Sequence, residues 1–591
     1  MDSRAKPSRA LRTRDIHVEP VLFTPNRFHR LVVDVAAVVV LTGMVIALGG
    51  KRIGTGGFSW SDAPIHAMDG ALLHDLMADW ENVGDIEDWV RRYYARYPCL
   101  GLVVFYPPLH PIVEGAAYRV FGISEAVARG TVVAMAVVAV LGLYWLGVQM
   151  FNRPAACLAA GLLATAPFGV AWLRMTMLEW SAVAPAILAA GCYQAWYHRP
   201  GWGWAILGAL ATCAALLTKQ TTVFLLVLFL THLVTVGVVA ELRENWPTGL
   251  RHRRYESGVR MALTVAAAAL IILVVLGLYD RVSSRYAEFS RFLVSGRPPW
   301  AHLGRLDNYT QYIRWFDTIF GWPFLLAWVT GLTVVAVRWQ WQGSRFSLLW
   351  LLLVWVQQTL VAWKEPRYFF FALPAAALLA GRGWTIWLRW RGLPLGFIPV
   401  AGLIGYQFVV GLQTPASRLP DYSGAVQVLV ERGDADVVLM DGLREGQFVF
   451  DVRTNAKAAG RIITLRGSKM LYSRAARGRW RHTTHRGRPE EIIELLDEFG
   501  VRYVVVESQL PAIPPQAQGD WDEPASRALR ELLADTTRFE LIGRFSLKCE
   551  DPIWDNVELR VYHYPSAPPR RAKSVKIPIP ALRQTVVVPL P

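Results

Sequence analysis

Long apolar segments in the first 412 residues constrain this chain more than any other feature. Residues 31–49, 132–150, 155–173 and 261–278 contain almost no charged side chain. A helix of about 20 apolar residues crosses the hydrocarbon core of a bilayer, whereas a buried helix of a soluble protein is rarely apolar all round. The pattern therefore predicts a polytopic α-helical membrane protein.

Hydropathy predicts about eleven transmembrane helices. They lie near residues 31–50, 125–149, 155–175, 178–197, 202–218, 221–240, 261–279, 318–337, 346–363, 368–386 and 394–412. The segment 100–121 is also apolar, but it contains three prolines, Glu114 and Arg119. Such residues suit a lipid-exposed helix poorly, so we interpret it as an interfacial or re-entrant part of the first outer loop.

Basic residues set the predicted orientation in the membrane. They concentrate in the N-terminal tail (1–30) and in the loops 243–260, 338–345 and 382–391. Cytoplasmic loops are enriched in Lys and Arg, so these four regions should face the cytoplasm of an inner membrane. The net charge of +16 is then a feature of topology, which argues against a nucleic-acid partner.

Three regions should lie on the opposite side of the membrane. The first is the acidic loop 51–124, and the second is the loop 281–317, which carries Arg281, Arg285 and Arg291. Basic residues on that side indicate either an error in the span count or a loop that binds an anionic lipid head group, and we favour the second explanation.

The third outer region follows the last predicted span. Residues 413–565 alternate short β-branched segments with amphipathic helical ones, which predicts a soluble extracytoplasmic α/β domain. Residues 566–591 are rich in proline and basic side chains, and we predict a disordered tail. No phosphate-binding glycine loop or metal-ligand spacing occurs in this part of the sequence.

Charged residues at the predicted span ends are the candidate functional groups. Asp62 follows the first span, Glu179 begins the fourth, Lys219 follows the fifth, and the segment 364–368 precedes the tenth. All four positions should face outwards. Each also has a structural explanation, because Glu179 could cap a helix and the cations could anchor spans at the lipid interface.

These residues resemble motifs of the GT-C superfamily of membrane glycosyltransferases, in its protein O-mannosyltransferase-like and aminoarabinose-transferase-like branch. The matching motifs are Asp62 after the first span, Tyr106-Pro107-Pro108-Leu109, Phe121-Gly122 with Arg129, Glu179, Thr218-Lys219 and Lys364-Glu365-Pro366-Arg367-Tyr368. The resemblance covers about residues 30–412. Two positions depart from the family, since Ala63 replaces a Glu and Tyr106 replaces a frequent Lys.

The resemblance implies transfer of a sugar from a polyprenyl-phosphate donor to a lipid, glycan or protein acceptor outside the cytoplasm, with inversion. Asp62 would be the general base and Glu179 a second catalytic carboxylate. His66 and Tyr106 would line the substrate site. The donor phosphate would be held by Lys219, Arg281, Arg285, Arg291, Lys364, Arg367 and Tyr368. No cofactor is required; Asp62 and Glu179 could share a divalent cation, but no spacing calls for one.

Two other functions remain open from sequence. The first is a transporter or flippase of lipid-linked sugars, which would usually carry ionisable groups near the bilayer midplane and internal repeats. The second is an inactive scaffold whose α/β domain recruits envelope partners, an alternative that the missing Glu beside Asp62 supports.

Overall fold

The computed structural model describes most of the chain. The described residues are 27–58, 60–102, 106–241, 304–361, 364–387, 389–390, 393–416, 418–420, 422–473, 483–509, 523–549, 554–579 and 584–590. The predicted span 261–279, most of the basic tail, and Arg281, Arg285 and Arg291 lie outside these residues.

The described residues up to 413 are mainly helical, apart from two short antiparallel strands, Arg389–Trp390 and Leu393–Pro394. The α-helices are Arg27–Gly49, Ala63–Ala78, Ile86–Arg96, Leu109–Phe121, Glu125–Met150, Arg153–Thr165, Pro167–Leu173, Leu178–His198, Trp202–Leu216, Phe224–Glu241, Leu306–Arg314, Phe316–Phe320, Trp322–Val337, Trp341–Leu360, Leu373–Trp387 and Phe397–Gln413. Short 3-10 helices are Trp80–Asn82, Gln220–Val223 and Pro366–Ala372. Every predicted span within the described residues is helical over most of its length.

The described helices differ in their ability to cross a bilayer unaided. By length and composition, 3 qualify: Arg27–Gly49, Glu125–Met150 and Pro366–Trp387. Counting each of two bent pairs as one span raises the number to 5. A polytopic helical protein is therefore supported, and the number eleven stays a prediction.

The two bent pairs have identifiable causes. Arg153–Thr165 and Pro167–Leu173 meet at 60°, where Pro167 cannot continue the backbone hydrogen bonds of the preceding helix. Leu306–Phe320 and Trp322–Val337 meet at 117°. Gly321 lies between them with φ of 72°, a conformation that glycine adopts without strain.

The first loop folds into a helix pair, Ala63–Ala78 packed on Leu109–Phe121. Glycines permit the close approach: a Cβ on Gly70 would lie 2.7 Å from Glu114 Cγ, and one on Gly115 would lie 3.0 Å from the Gly70 carbonyl oxygen. The helix Leu109–Phe121 has 13 residues, fewer than a bilayer crossing requires. The assignment of 100–121 to the first outer loop stays a prediction.

After residue 413 the chain forms an α/β unit around one mixed sheet. Its five strands, in spatial order, are Ile463–Arg466, Val437–Asp441, Tyr503–Glu507, Glu558–His563 and Glu540–Ser546. The first three are parallel and the last two are antiparallel to their neighbours. Four helices of nine or more residues accompany the sheet: Ser423–Arg432, Glu445–Thr454, Pro489–Phe499 and Pro524–Leu532.

The end of the chain corrects one prediction. Within the region 566–591, where we expected disorder, Ser574–Ile579 pairs antiparallel with Gln584–Pro589. Val575 and Ile577 are buried while Lys576 between them is exposed, which is the alternation of a half-buried strand. We gave the prolines and basic residues more weight than this alternation, and the prediction was wrong for the two strands.

Hydrogen bonds join the α/β domain to the first loop at a surface that we call the loop–domain junction. The Phe58 N–H donates to Gln447 Oε1 at 2.7 Å, and Gly460 N–H donates to the Tyr97 hydroxyl at 2.8 Å. Arg453 makes a two-bond ion pair with Asp75, in which Nε lies 2.7 Å from Oδ2. The domain therefore rests on the loop that carries Asp62.

Candidate active site

Asp62 directly precedes the helix Ala63–Ala78, but its side chain does not cap that helix. It occupies the residue before Ala63–Ala78, and its side chain makes no hydrogen bond to the first turn. Instead Oδ2 accepts from Arg367 Nη1 at 3.1 Å. Oδ1 has no partner among the described residues. The carboxylate is thus fixed on one side and available on the other.

Arg367 is held by three kinds of contact. Its Nε lies 2.6 Å from Glu365 Oε2, in addition to the bond with Asp62. The guanidinium lies 6.0 Å from the Trp60 ring centre and 5.6 Å from that of Tyr368. Such cation–π contacts favour a fixed guanidinium over a mobile one. Trp60 and Glu365 were not among the predicted site residues.

Glu179 and Lys219 form a second ion pair. The Lys219 Nζ lies 2.8 Å from Glu179 Oε1, and Glu179 is only 1% exposed. Lys219 also lies 5.9 Å from the Tyr368 ring centre, so both cations of the site contact the same ring. Residues distant in the sequence are thereby brought into one cluster.

His66 and Tyr106 complete the wall of this cluster. Their ring centres are 4.5 Å apart; His66 is buried and Tyr106 is half-buried. Burial lowers the pKa of His66 well below its ordinary value, and the nearby charges of Arg367 and Lys219 lower it further. His66 is therefore neutral near pH 7. Burial raises the pKa of Tyr106, and the negative charge of Asp62 raises it further.

A buried polar chain lies behind His66 and was not predicted. The His66 and His110 ring centres are 6.2 Å apart. His110 Nδ1 lies 3.0 Å from Ser181 Oγ, and its Nε2 lies 3.8 Å from Glu114 Oε2. Its position after Pro107-Pro108-Leu109 was the available sequence signal.

Among the described residues, Lys364 contacts backbone carbonyls and the Tyr312 ring and makes no ion pair with the carboxylates of the cluster. Its ammonium donates to the carbonyl oxygens of Gln358, Thr359 and Val361 at the end of Trp341–Leu360. A lysine at this position stabilises carbonyls that have no partner within the helix. The structure therefore assigns Lys364 to a helix end, whereas Arg367, three residues later, contacts Asp62.

Arg129, which belongs to the same set of motifs, also has a structural role. Its guanidinium donates to the carbonyl oxygens of Ile53, Thr55, Gly56 and Gly57. These bonds fix the segment that leads from the first helix to Asp62.

The described residues offer no ready ligand set for a metal. No three His, Cys, Asp or Glu side chains among them are grouped as metal ligands. Asp62 and Glu179 each face a cation, Arg367 and Lys219 respectively. The site described here is an arrangement of carboxylates, cations and aromatic rings.

Comparison with solved structures decides the fold. ArnT from Cupriavidus metallidurans, bound to undecaprenyl phosphate, superimposes with a TM-score of 0.54 over 92% of this chain and 99% of that chain, at 15% identity. The oligosaccharyltransferase of Archaeoglobus fulgidus, in complex with Zn and sulfate, gives a TM-score of 0.54 over 88% of this chain and 74% of that chain, at 12% identity. The chain has the GT-C fold.

Sequence comparison agrees with this assignment over part of the chain. Residues 106–250 match the model of the dolichyl-phosphate-mannose-protein mannosyltransferase family. A search of the curated proteins found no match. The resemblance to the GT-C superfamily is confirmed, and the GT-C fold explains why Asp62, Glu179, Lys219 and Arg367 converge although about 300 residues separate the first from the last.

Proposed function

We propose that this GT-C protein is a glycosyltransferase that moves a sugar from a polyprenyl-phosphate donor to an acceptor outside the cytoplasm. The observation that carries the proposal is the cluster itself: Asp62 pairs with Arg367, and both Arg367 and Lys219 contact the Tyr368 ring. It combines a base with two cations in one place. The acceptor class, whether lipid, glycan or protein, stays open.

Asp62 is the proposed general base. Its Oδ1 would accept the proton of the acceptor hydroxyl while Arg367 holds Oδ2. The acceptor oxygen then forms a bond to the anomeric carbon as the bond from that carbon to the phosphate oxygen breaks. One displacement through an oxocarbenium-like transition state inverts the anomeric centre.

Arg367 and Lys219 are the proposed ligands of the donor phosphate. A phosphate leaving group needs stabilisation of its negative charge more than it needs a proton. A planar guanidinium and an ammonium, both in contact with Tyr368, would supply that charge. In this mechanism Glu179 is a positioning residue for Lys219, because its contact with that ammonium is buried.

Two of the comparisons support the proposed donor class. ArnT was solved with undecaprenyl phosphate, and the matching family is described by a dolichyl-phosphate-mannose donor. A polyprenyl phosphate is common to both. We carry this chemistry to the present chain as part of the proposal, together with an inner-membrane location and a cytoplasmic N-terminus.

The orientation has support from the loop–domain junction. Arg453 of the α/β domain pairs with Asp75 of the first loop, and Phe58 bonds to Gln447. Two segments in contact lie on the same side of a membrane. We therefore propose that the domain shares the extracytoplasmic side with Asp62.

Reconstitution tests the proposed function directly. The full-length protein in liposomes would be supplied with labelled polyprenyl-phosphate sugars and a total membrane extract as acceptor source. We expect free polyprenyl phosphate and labelled product to appear together, and neither to appear with heat-denatured protein. Movement of uncleaved donor across the bilayer would instead support a flippase, and the absence of both would support a scaffold.

A further inference from the structure

One end of the α/β sheet lies beside the loop that carries Asp62. Arg466, at the carboxyl end of strand Ile463–Arg466, donates from Nη1 to the Pro98 carbonyl oxygen at 2.9 Å. Gly446 packs so closely that an added Cβ would lie 2.8 Å from Pro64 Cγ and 3.0 Å from Cys99 Sγ. Because Pro64 is two residues after Asp62, this edge of the domain borders the proposed site.

The carboxyl ends of parallel strands are where open α/β sheets usually bind ligands. Three strands of this sheet are parallel, and Ile463–Arg466 is the outermost of them. The one-turn helix after it, Gly467–Met470, carries Ser468 and Lys469. This helix is thus at the ligand-binding edge of the sheet and next to the first loop.

Around the helix Gly467–Met470, the positive side chains outnumber the negative ones among the described residues. Glu445 is 2% exposed, and its carboxylate accepts from Arg466 Nε at 2.8 Å, from the Ser468 N–H at 2.8 Å and from the Ser468 hydroxyl. Lys469 makes no hydrogen bond or ion pair with any residue that the structure describes. Among the described residues, Arg466 and Lys469 therefore face Glu445, whose oxygens are already engaged. The nearby carboxylate of Asp441 pairs with Arg530 at 2.7 Å.

In the part of the chain that the structure describes, no further group acting on Lys469 supplies a negative charge. Cys99 is buried, and burial raises the pKa of its thiol to about 12, so it is neutral. The pKa of Lys469 is lowered to about 8, mainly by burial and also by the neighbouring Arg466, against the opposing effect of Glu445. A partly desolvated cation without a counter-ion is unfavourable, and a bound anion would relieve that cost.

We propose that Lys469, with Arg466 beside it, binds an anionic group of the acceptor, a phosphate or carboxylate, and thereby presents the acceptor hydroxyl to Asp62. This inference rests on the proposed function, and it assigns the α/β domain a part in acceptor choice. The acceptor anion and the donor phosphate then occupy separate sites, the second at Arg367 and Lys219.

The first test measures binding without any transfer. Lys469 in the full-length protein would be trace-labelled with acetic anhydride and quantified by mass spectrometry, with exposed Lys548 as the internal reference. Inorganic phosphate should slow the labelling of Lys469 severalfold relative to sodium chloride of equal ionic strength, and leave Lys548 unchanged. Equal labelling in both salts would overturn the anion site, whether or not the protein transfers sugar.

The second test measures the acceptor. In the transfer assay, with the membrane extract separated by anion exchange, label should appear in the anionic fraction. Lys469→Gln should raise the acceptor KM at least fivefold and leave the donor KM unchanged. In the wild type the acceptor KM should rise as pH passes 8, because Lys469 loses its charge, whereas Lys469→Arg should flatten that profile.

The outcomes separate this inference from the proposed function. Normal transfer by Lys469→Gln, or labelling of a neutral acceptor, would overturn the acceptor subsite and leave the glycosyltransferase intact. Protection of Lys469 by phosphate in a protein that releases no polyprenyl phosphate would contradict the proposed function and the acceptor assignment together. A folded Lys469→Arg with normal acceptor KM at neutral pH would support a purely electrostatic contact.

Discussion

The two ion pairs of the site differ in how much of each carboxylate water can reach. Asp62 is 24% exposed and lies 3.1 Å from Arg367, whereas Glu179 is 1% exposed and lies 2.8 Å from Lys219. A carboxylate with one accessible oxygen can meet a substrate hydroxyl and exchange its proton. A carboxylate buried beneath its partner can hold that partner in position and little else. In the proposed mechanism, this difference in exposure to water is what distinguishes the catalytic role of Asp62 from the positioning role of Glu179.

The largest effect expected from this comparison is on the turnover of Asp62→Asn. Its amide oxygen can still accept from Arg367 but cannot take a proton at neutral pH, so kcat should fall by about 10³-fold. Thermal unfolding should be nearly unchanged. Asp79→Asn, at an exposed residue of the same loop, is the matched control and should keep wild-type turnover. A rate within tenfold of wild type for Asp62→Asn would remove it from the mechanism.

Glu179→Gln should instead lower the stability of the folded protein. It leaves the Lys219 ammonium in a mostly buried place without its counter-ion, a change that costs about 3 kcal/mol. The donor KM should also rise, by about tenfold, since the ammonium loses its position. The double variant Glu179→Gln with Lys219→Met removes the unpaired charge and should recover stability but not activity. If it were as unstable as the single variant, the pair would not be the cause.

Asp69 extends the comparison to a buried carboxyl that faces no cation. Its Oδ1 accepts from the N–H groups of Gly101 and Leu102, both at 2.9 Å, and burial raises its pKa to about 8. The folded protein therefore binds this proton more tightly than the unfolded chain. The stabilisation from this proton is fully present below about pH 4 and is lost as the pH rises towards 8. The free energy of unfolding falls by at most about 1.4 kcal/mol per pH unit.

Asp69→Asn tests that pH dependence. Its amide oxygen keeps both backbone bonds and cannot ionise, so unfolding temperatures measured from pH 5 to 8 should fall less than in the wild type. Asp79→Asn should follow the wild-type curve. Parallel curves for Asp69→Asn and wild type would contradict the assignment of a neutral Asp69.

The smallest effect is expected at Lys364. Lys364→Met removes bonds to the carbonyls at the end of Trp341–Leu360 and should cost about 1 kcal/mol of stability. The donor KM should stay within twofold of wild type. Arg367→Met, in the same turn, should raise the donor KM at least tenfold. Equal donor effects in the two variants would return Lys364 to the phosphate site.

Sequence predicted the helices and the main cluster because both depend on local signals. Apolar segments mark spans, and charges at span ends mark positions that face water, so Asp62, Lys219 and Arg367 could be selected before their contacts were known. The order of these residues along the chain and their predicted common side of the membrane then indicated that they form one site. The number of spans and the structure around Arg281, Arg285 and Arg291 still rest on sequence alone.

Other features depend on contacts that sequence does not encode locally. Lys364 and Arg367 share one short motif, and only the position of the preceding helix end distinguishes their roles. The pairing of Asp75 with Arg453 joins residues 378 positions apart. The hairpin from Ser574 could have been recognised by its alternation, but its proline and basic content indicated disorder.

The hydrogen bonds of the Gln447 side chain constrain how the sequence of this protein can diverge during evolution. Its oxygen accepts from Phe58, and its nitrogen donates to Asp451 within the domain and lies 3.3 Å from Glu125 Oε1 at the start of a membrane helix. One amide therefore completes the hydrogen bonding of three separate stretches of chain. A hybrid that inherited its membrane half from one ancestor and its α/β domain from another would leave buried polar groups unsatisfied unless both halves had kept these partners, so the two are expected to diverge together.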